Sequence, residues 1–287
     1  MIRYVCILVN TTKHLTAYLA FVLCCSLFFT TKAPAAENLP PDMARIFIQG
    51  KIVVAMYCED FPPFFMKNKQ GHMYGFDVEL AFDIGRKLGV DVIFKREAGT
   101  YEDVVAMVAN RKADIGISAI SRTRSSAIKV NFTKPYITLY HAMLINRLKT
   151  SQMKSGTEWL NSMNVALGVV TGTSYVEFAQ HDYPNAQIVQ YSKWEQAAQD
   201  ALKGKIHAAF FDDISVLKWV NEHPEEALYI NGEILKDKQD PLSIAVHWED
   251  RHLLSWLNLY IQSISIEGTL DKLTAFYLKG DEWKRKD

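Results

Sequence analysis

The sequence predicts an α/β protein of two modules, each a mostly parallel sheet flanked by helices. Three observations carry this. Short apolar runs alternate with amphipathic helical stretches from Ile52 to Ile117, in the order β-α-β-α-β. The alternation recurs from Val165 to Asp212. Both stretches also contain the same junction, in which a helix, a basic turn and a small-apolar strand lead to a polar strand end. It reads Asn110-Arg111-Lys112-Ala113-Asp114-Ile115-Gly116-Ile117-Ser118 in the first and Lys203-Gly204-Lys205-Ile206-His207-Ala208-Ala209-Phe210-Phe211-Asp212 in the second. Two modules of about 100 residues each are ordinary domain sizes.

The first 36 residues stand outside this pattern. Arg3, Lys13 and His14 precede an uncharged apolar run, Leu15 to Phe29, and Ala33-Pro34-Ala35 follows. This is the layout of a cleavable signal peptide, residues 1–35. The alternatives are an uncleaved anchor and a lipoprotein. The run falls short of the roughly 20 residues a spanning helix needs, and the residues before Cys24 and Cys25 are not the small ones a lipoprotein site requires. Residues 36–50, with Pro40-Pro41 and no clear period, read as a lead-in.

Ile52 to Met56 is a buried strand ending in a polar-aromatic loop, Tyr57 to Phe65. Asp77 is placed to cap a helix whose Val78, Ala81, Phe82, Gly85 and Leu88 recur at helical spacing, with Gly89 as its stop. Val90 to Phe94 is a second strand. Thr100 caps a helix carrying Val104, Val105, Met107 and Val108, and Ala113 to Ile117 is a third strand. In the second module, Val165 to Val170 leads into Thr171-Gly172-Thr173-Ser174 and a helix from about Tyr175. A strand at Ile188 to Tyr191, a helix from Trp194 to Leu202 and a strand at Ala208 to Asp212 follow. From Leu253 to Tyr277 the periodicity predicts one or two helices packed on a core.

The 32 Lys+Arg balance 32 Asp+Glu, which argues against a nucleic-acid binder. Removing residues 1–35 takes away three basic and no acidic residues, leaving 29 against 32. Of four Cys only Cys58 remains, so no intrachain disulfide is expected. An export signal without disulfides points to the bacterial periplasm. No zinc-spaced Cys/His cluster, G-x-S-x-G, H-E-x-x-H or P-loop is present, so neither metal nor cofactor is expected. His207 reads as a packed histidine, Asp212-Asp213 as neighbours pointing apart, and Lys284-Arg285-Lys286 as a solvated terminus. Without a coiled-coil repeat or a long exposed apolar helix, a monomer is expected.

Ligands of open α/β sheets bind outside the C-terminal ends of the strands. That rule selects Tyr57–Phe64, Ser118–Thr123, Thr171–Ser174 and Phe211–Asp213. Backbone N–H groups at the helix start after Gly172 suit an anion, most simply a carboxylate. Asp212 could face an ammonium group. Taken singly, Gly-Thr-Ser is equally an ordinary helix cap, and so is Asp212; it is their combination with aromatics that suits a zwitterion.

The motifs Phe61-Pro62-Pro63-Phe64, Gly75-Phe76-Asp77-Val78-Glu79-Leu80, Ala113-Asp114-Ile115-Gly116-Ile117-Ser118, Phe132-Thr133-Lys134-Pro135-Tyr136, Gly172-Thr173-Ser174 and Ala208-Ala209-Phe210-Phe211-Asp212 stand in one order. From about Lys51 to Trp283 the chain resembles the bacterial extracellular solute-binding proteins of family 3, the polar amino-acid receptors of ABC importers. The resemblance implies the type II periplasmic-binding fold, two lobes closing on ligand about a two-segment hinge. Lobe 1 would be 46–139 plus 246–287, lobe 2 143–243, and the hinge about 140–142 and 244–245. It implies that Phe61 and Tyr101 stack on the ligand and that Ser118, Ser121 and Thr123 supply backbone and hydroxyl contacts. Thr173 and Ser174 would donate to a carboxylate, and Asp212 would accept the α-ammonium.

One position departs from the pattern. An Arg that forks onto the ligand carboxylate in amino-acid receptors of this family is replaced here by Ser126. Either Arg122 or Arg124 swings in, or the carboxylate rests on the helix start alone, or the ligand is not an ordinary α-amino acid. Tyr57, Glu59 and Asp60 stand near the cleft; Glu59, Asp60 and Asp212 mildly favour a cationic or amine-bearing ligand, and as loop residues they could equally be solvated. The expected function is capture of a small polar solute and its presentation to an ABC permease. The alternatives are a dehydratase resembling the cyclohexadienyl dehydratases, with Glu59 or Asp60 as weak candidate proton donors, and a ligand-loaded partner docking on a sensory receptor.

Overall fold

A computed structural model describes residues 38–153, 156–280 and 283–284. The signal-peptide reading and most of the basic terminus at 284–286 fall outside them. The lead-in expected at 36–50 is corrected: it contains a helix, α1 (Pro41–Gln49), with Pro at its first position and Met43 and Ile46 buried. Its fold comes from a distant partner. The Asp42 carboxylate accepts the N–H groups of His252 and Leu253 at 2.9 and 3.0 Å, capping a helix more than 200 residues away.

The first lobe continues with β1 (Lys51–Tyr57), a small hairpin of β2 (Met66–Lys67) and β3 (Met73–Tyr74), α2 (Phe76–Leu88), β4 (Asp91–Ala98), α3 (Tyr101–Ala109), β5 (Ile115–Gly116), α4 (Arg124–Ala127) and β6 (Asn131–Phe132). The third strand is shorter than expected, although Asp114 and Ile117 still donate backbone hydrogen bonds to β1 at 2.9 and 3.2 Å. Thr100 caps α3 as expected, accepting from the Asp103 N–H. Asp77 does not cap α2. Gly75 holds that place, and Asp77 is drawn into the interior.

The chain crosses to the second sheet through β7 (Ile137–Asn146). There follow β8 (Ala166–Val170), α5 (Ser174–Asp182), β9 (Gln187–Tyr191), α6 (Trp194–Leu202), β10 (Ala208–Asp212), α7 (Asp213–Glu222) and β11 (Ile230–Leu242). It returns through β12 (Ala245–Val246) to α8 (Arg251–Ile266), α9 (Thr269–Thr274) and a closing π-turn, Ala275–Lys279.

The strand orders are β4-β1-β5-β12-β6 and β11-β7-β10-β8-β9. The pairs β1–β4, β1–β5, β8–β9 and β8–β10 are parallel, as helical crossovers dictate. The antiparallel partners β6, β7, β11 and β12 belong to the chain that travels between sheets. A separate apolar core lies under each sheet, and Phe61 packs against both. The repeated junction is a structural repeat too: Arg111 and Gly204, each in the basic turn, adopt φ of 55° and 69°.

Candidate ligand-binding site

The C-terminal ends of β1, β5, β8 and β10 converge where the two lobes meet. Two cavities lie between the lobes. The hinge-side chamber, about 270 Å³, reaches Leu139, Asp240 and Leu242 on the crossing strands. The outer chamber, about 670 Å³, is bordered by Glu59, Asp60, Lys193 and Trp194. They share Phe61, Tyr101, Gly172, Thr173 and Phe211.

The lobes touch directly. The Tyr101 N–H donates to the Gly172 carbonyl at 3.3 Å, and the Phe61 and Phe211 rings meet edge-on at 6.2 Å. Gly172 has φ 75°, and a Cβ there would meet Thr100 Cγ2 at 2.9 Å. Only glycine permits both this conformation and this approach.

The expected residues separate into groups. Phe61, Tyr101, Ser121, Thr123, Thr173, Ser174 and Asp212 line the hinge-side chamber. Ser118 lines neither chamber; it is fully buried, and its hydroxyl accepts the Tyr57 N–H at 3.0 Å. Tyr57 lines the outer chamber and stacks on Tyr101 at 5.0 Å. Glu59 pairs with Lys193 at 3.5 Å and Asp60 with Arg96 at 2.8 Å, so the two candidate proton donors sit at the outer rim. Arg122 and Arg124 are exposed and line neither chamber, whereas Ser126 stands in the hinge-side wall.

Asp212 serves as the N-cap of α7. Its carboxylate accepts the Ser215 N–H and hydroxyl, both at 2.8 Å. Burial pushes it up to about 6 against the pull of those bonds. Asp77 lies outside the chamber but shapes its wall. It accepts the Tyr136 hydroxyl at 2.9 Å and the N–H of Ala119, a non-glycine residue held at φ 47°. Burial raises Asp77 to about 7.

Sequence reasoning missed Asp240. This residue is 1% exposed and lines the chamber, and its Oδ2 accepts the hydroxyls of Ser121 at 3.0 Å and Tyr175 at 3.1 Å. Its Oδ1 is buried without a hydrogen-bond partner. Burial raises it to about 7, and Asp212 and Asp213 add to the push. The available signal was an acid set directly before Pro241-Leu242 and the apolar return to β12. Glu177 was missed as well; it accepts the Ser125 hydroxyl from the other lobe. The described residues contain no cluster of three or more potential metal ligands.

The sequence matches the profile of the bacterial extracellular solute-binding proteins, family 3, over residues 52–280. It is 26% identical over 226 residues to the ABC transporter arginine-binding protein 1 of Escherichia coli K12, covering 78% of this chain and 86% of that protein. It is 24% identical over 255 residues to the L-cystine-binding protein TcyJ of the same strain, covering 89% and 91%. The crystal structure of AncCDT-1, an ancestral amino acid-binding protein described as a precursor of cyclohexadienyl dehydratase, superposes with a TM-score of 0.68 at 27% identity, covering 82% and 98%. With the profile running through both sheets and the cleft between them, the chain belongs to the bacterial extracellular solute-binding proteins, family 3.

Proposed function

We propose that the protein is a periplasmic receptor that captures a small polar solute by lobe closure and hands it to an ABC permease. Amino acids are the reference class, because the relatives above are amino-acid binders. The observation that carries the reading is a chamber walled by both lobes and by the strands that join them. A ligand there gains its full set of contacts only when the lobes are together, so it shifts the population toward closure. The hinge would act about residues 140–142 and 244–245, between lobe 1 (46–139 plus 246–287) and lobe 2 (143–243), in a monomer. Phe61 and Tyr101 would flank the ligand, and Asp212 would receive an ammonium group.

The test is thermal unfolding of residues 36–287 against amino acids, amines and organic acids. A ligand at about 100 times its Kd adds about 2.7 kcal/mol, a shift of several degrees. Failure of every compound to shift the midpoint would sink the receptor reading. Incubation with prephenate followed by chromatography tests the dehydratase alternative, for which turnover is required. The rim positions of Glu59 and Asp60 speak against them as its proton donors.

A further inference from the structure

We infer that the hinge-side chamber takes an aliphatic amine lacking a carboxylate, and that Asp240 joins Asp212 in receiving its positive charge. This deepens the receptor reading and rests on it.

The lining is acidic without compensation. Glu102, Glu177, Asp212 and Asp240 border the chamber, and among the described residues no Lys, Arg or His does. Ser126 occupies its wall, and the Ser126 N–H is already given to Thr123 Oγ1 at 3.1 Å. Nothing in the wall offers the two parallel charged bonds that hold a carboxylate.

Most of the hydroxyl protons run, directly or through one neighbour, to protein carboxylates. Ser174 Oγ donates to Ser121 Oγ at 2.8 Å, Ser121 donates to Asp240, and Tyr175 donates to the same oxygen. On the other side Ser125 donates to Glu177, which leaves Thr123 as the donor to Ser125 at 3.0 Å. Thr173 gives its proton to the Val170 carbonyl at 2.7 Å. Of the two hydroxyls expected to greet a ligand carboxylate, Ser174 thus already serves the chain's own Asp240 through Ser121, and Thr173 serves a backbone carbonyl. The positive end of α5 is likewise met by Glu177 in its first turn. The spent hydroxyls present only lone pairs to the chamber, and lone pairs accept from an ammonium group.

Asp240 supplies an observation independent of the acid count. One of its oxygens is buried with no partner, and a buried carboxylate oxygen left so is costly. A ligand N–H provides the missing bond and the missing charge together.

The experiment compares matched pairs by titration calorimetry: lysine with cadaverine, ornithine with putrescine, arginine with agmatine. Members of a pair differ only in the carboxylate. In the tightest-binding pair the decarboxylated member should bind at least tenfold tighter; any smaller preference, or the reverse, overturns the assignment. Asp240→Asn should weaken the amine at least tenfold while its melt stays cooperative, and unchanged affinity overturns the role of Asp240. Should that variant not fold, Ser126→Arg decides: it should move the preference toward the amino acid, and an unmoved ratio counts against the inference. A tight amino acid would defeat the amine assignment but leave the receptor standing. Silence from all six compounds defeats the assignment, and the organic acids of the wider panel then judge the receptor.

Discussion

The two chambers of the cleft share five residues and differ in how their charges are met. In the outer chamber, acids stand in the open beside cations, Glu59 with Lys193 and Asp60 with Arg96. Water screens the Glu59–Lys193 pair, which contributes about 0–1 kcal/mol, whereas the Arg96 guanidinium that meets Asp60 is itself largely buried. In the hinge-side chamber Glu177, Asp212 and Asp240 have hydroxyl partners and no cation, and Asp212 and Asp240 are buried. There the dielectric is low, so an added charge is felt strongly. Under the proposed receptor reading, this contrast assigns ligand choice to the chamber beside the hinge.

The sharpest attack on this contrast is Asp212→Asn. Asn still caps α7, so stability should fall by less than about 1 kcal/mol. Ligand affinity should drop at least a hundredfold, about 3 kcal/mol, because a buried charge partner is lost. Calorimetry showing less than a threefold loss would mean that the inner carboxylate is not the ligand's partner.

Next in size is the response to pH. Asp212 and Asp240 titrate near 6 and 7 when buried, above an ordinary carboxylate near 3.8. Between those values the ligand-free native state binds more protons than the unfolded one. Their contribution to stability is therefore full below about pH 4 and declines as pH rises toward 7. Asp240→Asn should flatten the melting temperature against pH between 5 and 7. A cationic ligand reverses the preference by holding both groups ionised. Binding should release protons near pH 6 and tighten several-fold from pH 5 to 7.5. Calorimetry in buffers of different ionisation heat reads the proton release, and proton uptake would contradict it.

Gly172→Ala sharpens the comparison at the boundary between chambers. The added Cβ meets Thr100 across the closed interface at an unfavourable φ. The cost of such strain, about 1–2 kcal/mol, should appear as roughly tenfold weaker binding. Part of that cost falls on the backbone itself, so the melt should drop too; a drop in the melt alone would argue against a role in closure. The smallest effect is expected at the rim. Lys193→Ala should change affinity less than about twofold, consistent with an exposed pair worth under 0.5 kcal/mol. A larger change would move ligand recognition outward.

Much of the fold was legible. The helix at Trp194–Leu202 matches its expected bounds at both ends, because its alanines recur at helical spacing and are buried as a face. The strand ends that carry Phe61, Thr173 and Asp212 were legible too, since chain order and strand-end geometry place them together. The cap role of Asp77 was not. Its local position suits a cap, but two partners from other elements, Tyr136 and Ala119, claim the carboxylate. The helix at Pro41–Gln49 escaped notice because a nine-residue helix is marginal alone and is fixed here by docking on α8.

What the sequence by itself determined is the set of elements, their order and the two-module repeat, since periodicity and turn chemistry act within a few residues. Only the tertiary structure decided where the hydroxyl protons go. Ser121 and Asp240 stand 119 residues apart and Ser174 and Ser121 stand 53 apart, and no local pattern encodes such pairings. They arise when two lobes and a pair of crossing strands bring these residues to one chamber. In that chamber Ser121, Ser174 and Tyr175 find partners distant in sequence, and Asp240 Oδ1 is left without one.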